Sequence, residues 1–242
     1  MVLPFKENTT FYQPEIWPEL SVHLKEQHIL VYSESKLHTL GSAILGGGMG
    51  SSSYFVNLHV SKDFDSTIPE KSLENSVHEY GYPVKETVGL MTAAYLSFAS
   101  VQEETNDHFG LFVCTTSGVG NAARAGLDRT VYSSYRSGTI NIMIFVQGSM
   151  TASAMLEGIM AATEAKAAAL QDMSIKDSET NLIATGTTSD AMVIACDPRY
   201  YRGIIHQHAG TATVIGNAMG RLVYRSVIES VSSLDLTHRT IE

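Results

Sequence analysis

Residues 184–190 read Ala-Thr-Gly-Thr-Thr-Ser-Asp and run straight into the apolar stretch AMVIAC. Thr185, Gly186, Thr187, Thr188 and Ser189 are all glycine or hydroxyl-bearing, so the stretch offers backbone N–H groups and hydroxyls to a polar ligand. Asp190 then enters a run that reads as a buried strand. A carboxylate in that position must be paired or put to use, because burying it alone is costly. The plain alternative is a hydrogen-bonded turn. The aspartate favours a functional loop.

A candidate partner lies upstream. The spacing predicts a helix from Thr151, a good N-cap, to about Gln171. At about 100° per residue, Ala152, Met155, Leu156, Ile159, Met160, Thr163, Ala167 and Leu170 share an apolar face. Lys166 falls in the middle of it. A lysine there must snorkel outward, pair with a carboxylate, or lose its proton. Asp190 is one candidate partner, although no spacing rule fixes the pairing. Glu164 lies about 160° round the same helix, so the spacing sets it apart from Lys166 as a competing acid or base. The plain alternatives are a solvated glutamate and a structural ion pair.

Two glycine-rich loops could approach a ligand. GGGMG supplies Gly46, Gly47, Gly48 and Gly50, which free the backbone from Cβ limits. No GK[ST] follows, so it is not a phosphate-binding P-loop. TTSGVGNAARAG, residues 115–126, follows an apolar run and carries Asn121 as an amide donor. Gly118, Gly120 and Ala123 fit a dinucleotide fingerprint, but the next strand closes on Gln147 and Gly148 instead of a ribose-binding carboxylate. The bland reading of both loops is a capped turn. His206 and His208 could place two rings on one face, yet no third ligand stands at a telling distance, so no metal site is expected. G-x-S-x-G is absent. A threonine nucleophile released by self-cleavage at Gly138–Thr139 or Gly186–Thr187 is a further route. The unbroken chain from Met1 to Glu242 weighs against it.

The elements that must position these groups follow from patterning. Strands are predicted at 28–33 and 39–45 around a turn at 34–36, at 54–60, and at 95–101 and 109–115 as a hairpin. The run at 139–146 is almost wholly apolar, as in a central strand covered on both faces. A last strand is predicted to begin near Ala184 and continue through residues 192–195. A polar helix is predicted at 68–80 and a final helix at about 211–232. Strands first, then alternating strands and helices, point to an α+β or layered α/β fold: a mixed sheet with packed helices in a single domain over 1–242. The Pro-rich segment 1–27 is expected to wrap the surface.

Composition bounds the rest. The chain has 242 residues, 44% of them apolar, and a formal net charge of −9. A basic footprint for nucleic acid is missing. No run reaches the roughly 20 apolar residues of a membrane span, and the start does not resemble a secretory signal. Cys114 and Cys196 sit in apolar runs and read as reduced thiols. The expectation is a cytoplasmic protein with a small-molecule partner, no nucleic acid and no membrane; a homo-oligomer is compatible with it.

Taken in order, several segments resemble the adenosylcobinamide amidohydrolase family. They are LGGGMG (45–50), VNLHV (56–60), VGLMTAA (88–94), TSGVGNAARAG (116–126), GTINIMIFV (138–146), TEAKAAALQD (163–172) and ATGTTSDAMVIA (184–195). The resemblance spans about residues 33–231. It departs at Thr188 and Ser189, where the family pattern has Gly-Thr, and at Ala167, where Thr is usual. It implies hydrolysis of the amide between a corrin propionate and aminopropanol, giving adenosylcobyric acid for cobamide salvage. No cofactor is implied, because the cobalt belongs to the substrate. A non-catalytic corrinoid carrier is the alternative. The residue reading then gives Asp190, Lys166, Glu164 and Asn121 as catalytic candidates. Asp190 would activate water, Lys166 would tune it or protonate the leaving nitrogen, and Asn121 with the N–H groups of Thr185, Gly186 and Thr187 would hold the oxyanion. Asn57, Thr92, Thr116 and Asn141, polar positions inside the matched motifs, join the loop residues and the four glycines as the binding set.

Overall fold

The computed structural model describes residues 3–61, 64, 68–129, 138–201 and 203–238. Its elements in chain order begin with β1 (Phe11–Tyr12), β2 (Leu20–Leu24), β3 (His28–Gly41), β4 (Gly48–His59), α1 (Pro69–Glu79) and β5 (Thr87–Thr92). There follow β6 (Ser100–Thr105), β7 (Gly110–Ser117), β8 (Ala122–Ala123), β9 (Ile140–Gln147) and β10 (Ser149–Met150). The last are α2 (Ala152–Asp172), β11 (Gly186–Thr187), β12 (Ala191–Asp197), β13 (Ile205–His206) and α3 (Val214–His238).

Among the described residues, nine strands form one mixed sheet in the order β1-β2-β3-β12-β9-β7-β6, with β4 on β3 and β5 on β4. Parallel neighbours β4 and β5 are joined through α1, and β9 and β12 through α2, so the sheet contains two β-α-β units. Alternation along β9 shows how the layers are made. Ile140, Ile142, Ile144 and Val146 pack with α2 and α3, while Met143 and Phe145 enter a second core on the other face. There the sheet curls over itself and Phe55 of β4 meets Phe145 edge-on at 4.8 Å. A third core seats α1 through Leu73 and Val77. The fold is a single α+β domain built on a mixed sheet, as the patterning predicted.

Several local expectations are corrected. Residues 28–41 form one strand, not two around a turn; a register shift between Tyr32 and Leu37 lets 34–36 bulge while the strand continues. Residues 34–36 lack the Gly, Asn or Pro that would reverse the chain. Residues 87–92, left without an element by the pattern, are β5, buried throughout and so without alternation. Residues 96–98 are a 3-10 turn, and the hairpin strand begins only at Ser100. The final helix starts at Val214 and runs to His238. Residues 184–190 lie outside β12: Gly186 and Thr187 pair with Ala123 and Ala122 in a separate ribbon. The segment 1–27 does not simply wrap the surface. It adds β1 and β2 to the sheet and buries Phe5 and Trp17, because a large aromatic gains roughly 2–3 kcal/mol by leaving water.

The buried face of α2 also differs. Ala154, Gly158, Ala161, Ala162 and Ala169 turn inward with Met155, Lys166 and Leu170, while Leu156 and Met160 are 55% and 57% exposed. Small residues win because the sheet and α3 approach closely. A Cβ at Gly158 would stand 3.0 Å from the Met219 sulfur and 3.1 Å from Ile194. Cys114 and Cys196 are buried free thiols, which burial pushes up to about 12 and about 11. Among the described residues, no helix is long and apolar enough to cross a membrane.

Candidate active site

Asp190 stands just before β12, at the entrance that β12 shares with the parallel strand β9. The descending half of α2 brings Lys166 to the same end. The Lys166 ammonium bonds Asp190 Oδ2, and their side chains keep 7% and 11% exposure. Asp190 is held from three further sides. Its Oδ1 accepts the Ile140 N–H at 3.1 Å and the Thr187 hydroxyl, and its Oδ2 accepts the Thr187 N–H at 3.0 Å. Gly186 leaves room for the pair: a Cβ would sit 2.5 Å from Asp190 Oδ2 and 2.8 Å from Lys166 Nζ, so one of them would have to shift.

The pair opens into a cleft of about 800 Å³, within the range of small-molecule sites. Thr185, Gly186, Thr187 and Thr188 form one wall, Thr163, Glu164 and Ala167 of α2 another, and Ala123, Arg124 and Arg129 a third. Glu164 therefore shares the site with Lys166 after all. The two lie on different sides of α2, but the cleft passes over Thr163 and Ala167 and reaches both.

The oxyanion expectation is corrected for Thr185, Thr187 and Asn121. The Thr185 N–H donates to Ala123 O at 2.9 Å, and the Thr187 N–H is taken by Asp190. Asn121 sits behind the loop, where its Nδ2 donates to Thr188 Oγ1 at 2.7 Å. It fastens residues 188–189 and does not face the cleft. The departure at Thr188 thus adds a hydroxyl that Asn121 holds from behind the loop, while Ser189 keeps a hydroxyl at its own position.

Other expected residues lie elsewhere. Asn57, Thr116 and Asn141 form a buried network on the opposite face of the sheet. Asn57 Nδ2 donates to Thr116 Oγ1 and Asn141 Nδ2 to Asn57 Oδ1, both at 2.8 Å. Thr92 is buried and caps the Ala94 N–H at 3.0 Å. Gly46 and Gly48 take φ of +67° and +79° in the turn into β4, and none of Gly46, Gly47, Gly48 and Gly50 lines the cleft. His208 bonds Glu157 at 3.1 Å and His206 faces His108 O at 3.3 Å, so the two rings do not converge.

The sequence reading missed a brace beside the cleft. The buried Asp177 carboxylate accepts N–H groups from Arg124 at 2.7 Å, Glu179 at 2.8 Å and Thr180 at 3.1 Å, and pairs with Arg129. Burial pushes Asp177 upward. The three N–H donors and the guanidinium outweigh it and bring the group down from 3.8 to about 2. The D-x-x-T spacing from Asp177 to Thr180 was the available signal, since Asp commonly caps the residues after it. A depressed carboxylate stabilises the fold above its unfolded value, and that contribution is lost as pH falls through the folded value. Asp177→Asn should therefore cost about 2–3 kcal/mol at pH 7. The gap from wild type in urea midpoints should shrink between pH 3.8 and about 2. A gap that stays constant over that range would contradict the assignment.

A buried carboxylate locked to an ammonium, both lining a cleft of small-molecule size, marks this as the candidate active site. Comparison with known proteins makes the class specific. The family model described as adenosylcobinamide amidohydrolase matches residues 14–236. The chain belongs to that family. An adenosylcobinamide amidohydrolase of Methanosarcina mazei is 25% identical over 214 residues, covering 86% of this chain and 96% of the relative. One of Halobacterium salinarum is 28% identical over 190 residues, covering 71% and 74%. An uncharacterized protein of Methanocaldococcus jannaschii is 29% identical over 184 residues, covering 68% and 71%.

Proposed function

We propose that the chain hydrolyses the amide between the corrin propionate and aminopropanol of adenosylcobinamide, giving adenosylcobyric acid for cobamide salvage. The observation that carries this reading is the Lys166–Asp190 pair facing the cleft, in a chain of this family. Amide hydrolysis needs a base for water, a positive group at the developing oxyanion, and a proton for the leaving nitrogen. Asp190 takes the proton from water. The Lys166 ammonium, which lines the cleft beside Asp190, meets the oxyanion and then protonates the amine. Glu164 on the rim is the second acid or base. The cobalt is part of the substrate, and the reaction proposed is cytoplasmic and draws on no protein cofactor.

The test is to incubate the protein with adenosylcobinamide and identify the products by mass spectrometry. Adenosylcobyric acid and free aminopropanol are expected in equal amounts. Substrate that binds and is recovered intact would make the protein a corrinoid carrier.

A further inference from the structure

We propose that the chain cleaves its own backbone at Gly138–Thr139, leaving Thr139 as a new N-terminus beside the loop that carries Asp190. The geometry stands apart from any substrate. Thr139, at the entrance of β9, is buried, and its hydroxyl donates to the carbonyl oxygen of its own peptide bond, Gly138 O, at 2.7 Å. The Ser189 hydroxyl donates to the same oxygen at 3.0 Å and stands 2.8 Å from Thr139 Oγ1. Two hydroxyls thus polarise one carbonyl, and one of them belongs to the residue placed to attack it.

The surroundings hold that peptide tightly. A Cβ at residue 138 would collide with Asn121 Oδ1 and with the backbone of Gly118 and Gly120, so only glycine fits. Asn121 is buried and its Oδ1 meets no hydrogen-bond partner among the described residues, while its Nδ2 stands 3.5 Å from Ser189 Oγ and holds Thr188. The Ile140 N–H, one residue on, is fixed by Asp190.

The step balances without an added reagent other than water. Thr139 Oγ1 bonds the Gly138 carbonyl carbon. Its proton passes to Ser189 as Ser189 passes its own to the carbonyl oxygen. The C–N bond then breaks, and that proton returns to the Thr139 nitrogen, leaving an ester. Water hydrolyses the ester to a Gly138 carboxylate and a free Thr139 with its amine and hydroxyl. A chain that processes itself must fold first, so the continuous chain is the precursor.

The test is the intact mass of the purified full-length protein during incubation at neutral pH. Two fragments, 1–138 and 139–242, are expected, the second beginning Thr-Ile-Asn-Ile. Thr139→Ala should remain one chain, Thr139→Ser should still cut, and Ser189→Ala should cut at least tenfold more slowly. A wild-type chain that stays whole, or Thr139→Ala cut at the same bond, overturns the proposal. Because the readout is chain mass, it is independent of corrinoid turnover.

Discussion

Asp190→Asn is expected to lower amide turnover about a thousandfold, in line with the loss of a positioned general base. Asparagine keeps the size and one acceptor oxygen, so the Ile140 N–H can stay bonded. The amide nitrogen then meets donors on its other side, and Lys166 loses its counter-charge. The variant should be destabilised by roughly 3 kcal/mol, which a domain of this size can survive. Turnover must therefore be measured on folded protein, with corrinoid binding measured beside it. The expected pattern is binding retained and kcat lost. A variant that keeps a tenth or more of wild-type kcat would remove Asp190 from the chemistry.

The second large effect is thermodynamic. Lys166→Met leaves a buried carboxylate without its cation and should cost about 3–5 kcal/mol. Combining it with Asp190→Asn removes both charges, so the double variant should cost little more than Lys166→Met alone and well short of the sum of the two single losses. The double-mutant cycle should give a coupling of roughly 2–3 kcal/mol, read from urea unfolding of all four proteins. The double variant stays inactive. Additive effects on stability would mean that the two side chains do not form the unit described here.

What could be read from the sequence follows physical range. β9 and the α2 N-cap were legible because their signals are local: an apolar run and a threonine before a helical period. Lys166 was legible as a misfit on an apolar face, and Asp190 as a carboxylate entering a strand. Their pairing could be suggested from the sequence but not fixed, since it depends on α2 lying across β12. The inward face of α2 was misjudged because hydrophobic size suggested Leu156 and Met160, whereas close packing on α3 and the sheet selected Gly158 and the alanines. Polar residues inside matched motifs divided for a similar reason. Thr185, Gly186 and Thr187 reach the cleft, whereas Asn57, Thr116 and Asn141 hydrogen-bond one another across the curl of the sheet. Asp177 went unread because its partners are backbone groups, and side-chain patterns do not display those.

The most direct measurement of the central claim is hydrolysis of adenosylcobinamide in heavy-oxygen water by wild type and Asp190→Asn. The account predicts one labelled oxygen in the new corrin carboxylate, unlabelled aminopropanol, and almost no release by the variant. Label in the aminopropanol, or equal release by both proteins, would contradict it.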